Sequence, residues 1–396
     1  MDTIRLANGL ITTNNYFFDF NTFDIYKIDD NQKTKLCNEQ FSIIKNENYN
    51  EIQFQVLKIN TVNYCNLRCK YCYANEGTYN KIKNAISTKE ISMLSKLEPY
   101  LKDLKVITFF GGEPFLNPNA IEAICEKYKE RDIVFLAQTN GTLFNERTIN
   151  LIRKYNIRCT LSVDGNKQIN DAFRVFKDGR GTFDTIYEGF EKVKEHIISI
   201  EGTRADFSIE TNDIYKELYE LFHIRSIKVV DDQGQMEHQS NKELKPYEDF
   251  NNLFDDIQKD TLASNLLVSF FSHHKSNFFC NAGNKTLHLD SDGKLYPCQL
   301  LIENQYELGN LYDFCQNDFE KKCYEFQNHI RKINCQSCYL KTICSHCYAH
   351  TIQMNEQNCN RKLKYADQIF EKTAELIEES KLQDLLKVLE KREVEV

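Results

Sequence analysis

CNLRCKYCYANEG, residues 65–77, places Cys65, Cys69 and Cys72 within eight residues. It directly follows EIQFQVLKINTV (51–62), an alternating, β-branched run that reads as a strand. From there a strict rhythm sets in. STKEISMLSKLEPYLKDL (87–104) reads as a helix opened by a Ser87/Glu90 capping box. KVITFF, IVFLAQT, RCTLSV, ADFSIET (205–211) and SIKVV read as strands, separated by the helical patterns NPNAIEAICEKYKE, NERTINLIRKYN, GTFDTIYEGFEKVKEHI and DIYKELYELFHI. Six strands in strict alternation with helices predict a parallel α/β sheet or partial barrel.

The predicted strand ends carry the polar signatures. The first strand runs into the three cysteines, the second into Gly111-Gly112-Glu113, the third into Thr139-Asn140-Gly141 and the fourth into Ser162-Val163-Asp164-Gly165. Ligands of parallel α/β folds bind at the carboxyl ends of the strands. All four signatures are therefore expected to face one site.

Composition narrows the setting. The chain has 396 residues, 50 basic and 58 acidic, for a net charge of -8, which argues against a broad nucleic-acid-binding face. The N-terminus lacks a signal-peptide pattern, and no apolar run approaches the ~20 residues of a membrane span. A cytoplasmic protein without membrane or nucleic-acid partners is the expectation. In a reducing compartment the 15 cysteines are expected to bind metal or sit in the core and not to form disulfides. Scattered Cys37, Cys125, Cys159, Cys315 and Cys323 read as small core residues. His273-His274 reads as a solvated pair.

Three closely spaced thiols suit a four-iron cluster that leaves one iron without a protein ligand, and an open metal position is where a substrate can bind. The residues alone also allow a zinc knuckle completed by a distant His or Cys. The CxxxCxxC spacing at the head of a β/α series resembles the radical S-adenosylmethionine (SAM) enzymes over about residues 55–235. The resemblance implies a partial (β/α)6 TIM-type barrel, a [4Fe–4S] cluster on Cys65, Cys69 and Cys72, and SAM on the remaining iron. It further implies SAM contacts from Tyr71 near adenine, from Gly111, Gly112 and Glu113 near the amino group, from Ser162 and Arg174 near ribose or carboxylate, and from Asn140 on the same face.

The C-terminal cysteines resemble the SPASM extension over about 280–360. Cys280, Gly293 and Cys298 are followed by CQSCYLKTICSHC (335–347) and Cys359. Here two residues, Ser345 and His346, stand between Cys344 and Cys347, where the family commonly has three. The resemblance implies two auxiliary [4Fe–4S] clusters, one on Cys335, Cys338, Cys344 and Cys359, the other on Cys280, Cys298 and Cys347. A fourth ligand of the latter is open, with Cys315 and Cys323 in the intervening stretch. The residues alone also allow a zinc-ribbon-like site on Cys335–Cys347. The expected segments are a strand or hairpin region (1–51), the radical SAM partial barrel (52–240), a helical connection (241–279, including PYEDFNNLFDDIQKD), the SPASM domain (280–365) and a C-terminal helix (366–396).

The wording CNLRCKYCYANEGTYN resembles maturases of ribosomally made peptides, which form thioether or carbon–carbon crosslinks. That implies a precursor-peptide substrate and a low-potential electron donor such as flavodoxin or ferredoxin. Anaerobic sulfatase maturases, which make formylglycine, are the alternative. They carry an aspartate where LYPCQLL has Gln299, and a neutral amide cannot take up a proton as a carboxylate does. An alternative of another class is a non-catalytic iron–sulfur electron carrier or zinc scaffold.

Overall fold

The computed structural model describes residues 3–6, 8–20, 22–38, 51–231, 267, 270–271, 281–332, 338–340, 349 and 356–393. The chain opens with β1 (Ile4–Leu6), β2 (Gly9–Ile11), β3 (Tyr16–Asp19) and β4 (Ile25–Lys27), an antiparallel sheet in that order, and α1 (Asp30–Asn38). It continues through β5 (Val56–Val62), α2 (Thr88–Met93), β6 (Val106–Gly111), α3 (Pro118–Tyr128), β7 (Val134–Thr139), α4 (Glu146–Lys154) and β8 (Arg158–Ser162). Next come α5 (Lys167–Phe173), α6 (Phe183–Val193), β9 (Ile197–Arg204), α7 (Thr211–Phe222) and β10 (Ile227–Asp231). The described remainder holds β11 (Thr286–Leu289), β12 (Lys294–Tyr296), β13 (Gly309–Asn310), α8 (Gln316–Lys332), α9 (Glu356–Glu378) and α10 (Leu382–Glu393).

Two compact units result, each built from separated segments: 1–50, 244–281 and 327–396 in one, 51–243 and 282–326 in the other. In the first, Leu10 and Phe18 of the small sheet and Phe20 just after it pack with Phe270, Ile369 and Phe370 in one apolar cluster. The Phe18 and Phe370 rings lie 5.0 Å apart.

The second unit is organised by a nine-stranded sheet in the order β10-β9-β8-β7-β6-β5-β11-β12-β13. The strands from β10 through β5 to β11 are all parallel, so the exits of β5, β6, β7 and β8 lie side by side along one sheet edge. Leu57 and Ile59 of β5, Ile107 and Phe109 of β6 and Leu161 of β8 are fully buried. Burying such a face is the main favourable term for a sheet of this kind. Among the described residues no helix is long and apolar enough to cross a membrane.

Two expected elements differ. The helix over 87–104 keeps its capping box, with the Lys89 N–H donating to Ser87 Oγ at 3.2 Å and the Ser87 N–H to Glu90 at 2.7 Å. It ends at Met93 and continues as a tighter turn that contains Pro99, which cannot donate to the ladder. The fifth strand is not ADFSIET: β9 occupies Ile197–Arg204, and residues 206–208 form a turn in which the Ser208 N–H and Oγ donate to Asp206 Oδ1 at 2.9 and 2.6 Å. The helical pattern carried through Ile197 hides a strand that starts there. The expected helix PYEDFNNLFDDIQKD and His273-His274 lie outside the described residues.

Candidate functional site

The site begins where β5 releases the chain. The Val62 carbonyl accepts from Gly112 N–H at 3.1 Å, and the Tyr64 carbonyl accepts from Glu113 N–H at 3.2 Å. A Cβ on Gly111, at φ +130°, would lie 2.1 Å from the Val62 carbonyl oxygen; one on Gly112 would lie 2.1 Å from that of Tyr64. The glycine pair is thus demanded by the contact between two strand exits, which only residues without a Cβ allow.

Cys65, Cys69 and Cys72 are half-buried and carry no disulfide. Cys65 Sγ accepts from the Leu67 N–H at 3.4 Å and from Asn140 Nδ2 at 3.6 Å. Burial, helped by the charge of Glu113 and by the other two thiols, pushes the Cys65 thiol up to about 12. Burial also raises the Cys69 thiol, opposed by Arg174. A metal ion bound by such a thiol displaces its proton to solvent. Among the described residues no three His, Cys, Asp or Glu side chains surround a single-ion position. Three thiolates of a four-iron cluster bind three different irons, so the donor set fits that group.

Asn140 is locked in turn. Its Nδ2 donates to Asn66 Oδ1 at 3.0 Å, and its Oδ1 accepts from the Thr142 N–H and hydroxyl at 3.0 and 2.7 Å. Glu113 is fully buried. Its carboxylate accepts from Thr139 Oγ1 (2.8 Å), Asn140 N–H (2.8 Å) and Phe115 N–H (3.1 Å), joining the exits of β6 and β7. Burial raises its carboxyl to about 7 against the opposing effect of those hydrogen bonds.

On the other side of the loop, Tyr71 donates its hydroxyl hydrogen to Asp164 Oδ2 and accepts from Arg174 Nη1 at 2.7 Å. Asp164 Oδ1 lies 3.6 Å from Arg174 Nη1 and accepts from the Thr203 N–H at 2.9 Å. Asp164 is fully buried, Arg174 is 8% exposed, and Arg174 Nε is buried with no hydrogen-bond partner. Ser162 is the last residue of β8 and is half-buried.

The distal part of the loop is pinned to the turn after β11. Lys81 Nζ donates to Asp290 Oδ2 (2.6 Å), Asp292 Oδ2 (3.1 Å) and the Tyr296 hydroxyl (3.2 Å), while Asn60 Nδ2 donates to Asp290 Oδ1 at 2.9 Å. Lys58 Nζ donates to Gln299 Oε1 at 3.3 Å.

The fold therefore gathers four of the seven expected SAM-contact residues into two bonded groups, and Ser162 joins neither. Glu113 and Asn140 lie with Cys65; Tyr71 and Arg174 lie with Asp164. The sequence placed Asp164 in the signature at the end of the fourth strand without a role, and it gave no sign of Asn66, Thr142 or the Lys81–Asp290 pair. Asp164 carried one signal, an acidic residue just past the apolar run of β8. The Lys81–Asp290 pair carried none, because its partners are distant in sequence.

Of the C-terminal cysteines, Cys298 is buried and Cys338 half-buried. Cys359 lies within α9, and Cys280, Cys335, Cys344 and Cys347 lie outside the described residues. Cys315 is exposed. Cys323 is fully buried on α8, and its thiol is raised by burial, as Cys125 and Cys159 are in the sheet unit.

A model of the radical SAM superfamily matches residues 59–222. An uncharacterized protein of Methanocaldococcus jannaschii is 30% identical over 272 residues, 65% of this chain and 88% of that protein. A cysteine-type anaerobic sulfatase-maturating enzyme of Clostridium novyi is 28% identical, covering 62% of this chain and 73% of the relative. The radical SAM cyclopropyl synthase TigE of Paramaledivibacter caminithermalis is 26% identical, covering 74% and 67%. The fold resembles that of native anSMEcpe with bound AdoMet (TM-score 0.63, 20% identity, covering 81% of this chain and 99% of that one). It also resembles Streptococcus suis SuiB bound to precursor peptide SuiA (TM-score 0.51, 17% identity, covering 89% and 95%).

Proposed function

The chain belongs to the radical SAM superfamily, and from that premise we propose that it is a maturase acting on a ribosomally made peptide. The observation that carries the reading is the placing of three thiols at the exit of β5, between the Glu113–Asn140 group and the Tyr71–Asp164–Arg174 group. Cys65, Cys69 and Cys72 would hold three irons of a [4Fe–4S] cluster. Bound there, the cluster and SAM would supply the radical chemistry that removes a hydrogen atom from the substrate.

The protein's own residues prepare that event. Asn140 and the Leu67 N–H donate to Cys65 Sγ and so fix one ligand's direction. Glu113 accepts three hydrogen bonds from its own chain, holding the exits of β6 and β7 together, and its carboxylate keeps an acceptor position for the SAM amino group. Arg174 offers a buried guanidinium edge to the SAM carboxylate, a match of planar fork to planar anion. Ser162 and the Gly111-Gly112 backbone complete the SAM surface.

The substrate is a precursor peptide, and the product a thioether or carbon–carbon crosslink within it. Relatives that bear on this include a sulfatase-maturating enzyme and a cyclopropyl synthase. Formylglycine formation is the second reading, favoured by the first of those relatives. Against it stands Gln299, an amide that accepts from Lys58 and cannot act as a carboxylate base. Two auxiliary clusters on Cys280, Cys298 and Cys347 and on Cys335, Cys338, Cys344 and Cys359 belong to the same proposal, with a flavodoxin- or ferredoxin-type donor of electrons. The test is anaerobic incubation of reconstituted protein with dithionite and SAM. Formation of 5'-deoxyadenosine by a protein holding about twelve irons is expected from one SAM cluster and two auxiliary clusters. Absence of 5'-deoxyadenosine would count against any radical SAM activity, and about four irons would remove the auxiliary clusters.

A further inference from the structure

Arg174 is held from two directions, and the way it is held is unlike an ordinary structural ion pair. Main-chain hydrogen bonds bracket it against the cysteine loop: the Lys70 N–H donates to the Phe173 carbonyl at 3.0 Å and the Arg68 N–H to the Val175 carbonyl at 2.7 Å. Its side chain meets Asp164 at 3.6 Å, which is too long for the parallel two-bond fork that arginine and a carboxylate form when pairing is their only task. The Tyr71 hydroxyl stands between them, donating to Asp164 and accepting from Arg174. Asp164 cannot swing closer, because the Thr203 N–H holds Oδ1, the oxygen nearest Arg174, at 2.9 Å and its own N–H donates to Asn170 Oδ1 at 3.4 Å. The outcome is a buried cation whose Nε–H is left without a partner. A buried unpaired donor is costly, and it becomes satisfied when an anion arrives.

We propose that Asp164 and Tyr71 are positioning residues that turn the Arg174 guanidinium toward the carboxylate of SAM, so that carboxylate recognition is built before the ligand binds. The inference rests on the SAM reading above and deepens it. Asp164 does not touch the ligand; it acts through Arg174, and Tyr71 carries its effect into the segment between Cys69 and Cys72. A clamp set in this way recognises the methionine end of SAM and is indifferent to the adenosine end.

Two probes separate those ends: SAM itself, and 5'-methylthioadenosine, which has the adenosine and sulfur but no carboxylate. Equilibrium dialysis of each against anaerobically reconstituted full-length protein is the experiment. Asp164→Asn is expected to weaken SAM binding by about tenfold or more while changing methylthioadenosine binding by less than about twofold. Tyr71→Phe is expected to weaken SAM binding by about threefold, again with methylthioadenosine spared. Equal loss for both probes, or no loss for SAM, overturns the inference. If Asp164→Asn does not yield folded protein by circular dichroism, Tyr71→Phe decides by the same criterion. Failure of the parent protein to bind SAM overturns the SAM reading itself, and the inference with it.

Discussion

The two groups of cysteines are presented in different ways. Cys65, Cys69 and Cys72 leave the end of one parallel strand, and the neighbouring strand exits supply the residues that bond to their loop. Cys298 follows the short strand β12 within the sheet unit, whereas Cys338 belongs to the other unit, whose apolar core is shared by a small antiparallel sheet and α9. Both groups were picked out by spacing alone. At the first, spacing coincides with an architectural rule, because parallel strands deliver their exits to one edge. At the second, Cys280, Cys335, Cys344 and Cys347 lie outside the described residues, and spacing carries the whole expectation.

Removing each group of cysteines in turn separates their roles. Replacing Cys65, Cys69 and Cys72 together with alanine is expected to lower 5'-deoxyadenosine formation by at least about a hundredfold, to background. Replacing Cys298 or Cys338 is expected to leave it within about tenfold while abolishing peptide product. Similar losses from both groups would erase the distinction drawn here.

A second prediction concerns what supports the first loop. Asp290 is fully buried and its cation is Lys81, at 2.6 Å. Lys81→Met strands that carboxylate, and a loss of about 3–5 kcal/mol in unfolding free energy is expected from denaturant titration. Adding Asp290→Leu should recover much of it. Were the single variant as stable as the parent, the pinning of the loop by the β11–β12 turn would carry no weight.

The smallest expected effect is a pH dependence. The Glu113 carboxyl releases its proton near 4.5 when exposed and near 7 in the fold. Between those values the folded state binds the extra proton, so this group's contribution to stability falls as pH rises from about 4.5 to about 7 and is flat above. The fall is at most on the order of 3 kcal/mol. Glu113→Gln should lack this component, seen as a smaller difference between unfolding free energies at pH 5 and pH 8. An unchanged difference would show that Glu113 is ionised throughout.

How much of this was legible in the sequence follows from range of interaction. The alternation of strands and helices is local, and it located β5, β6, β7, β8 and β10 with their parallel order. β9 was displaced because Ile197 satisfies both the helical pattern before it and the strand after it. The addition of β11 beside β5 pairs Thr286 with Val56, and no local pattern announces a partner so distant. The candidate site divides in the same way. Glu113 and Asn140 stood out as polar residues at strand ends, but their roles as ties within the chain emerged only from their bonds. Gly111 and Gly112 stand out in the sequence as SAM contacts, but the close approach of the Val62 and Tyr64 carbonyls, which also requires glycine, shows only in the fold. Asp164 was visible but unassigned, since its meaning depends on Tyr71 and Arg174 arriving from other segments.

The central claim is that Cys65, Cys69 and Cys72 hold a cluster with one iron left for SAM. Electron paramagnetic resonance of dithionite-reduced protein, recorded with and without SAM, addresses it most directly. A [4Fe–4S] signal whose g values shift on adding SAM, and which disappears in the triple alanine variant, is the result expected. A signal that ignores SAM, or that survives loss of all three cysteines, would contradict it.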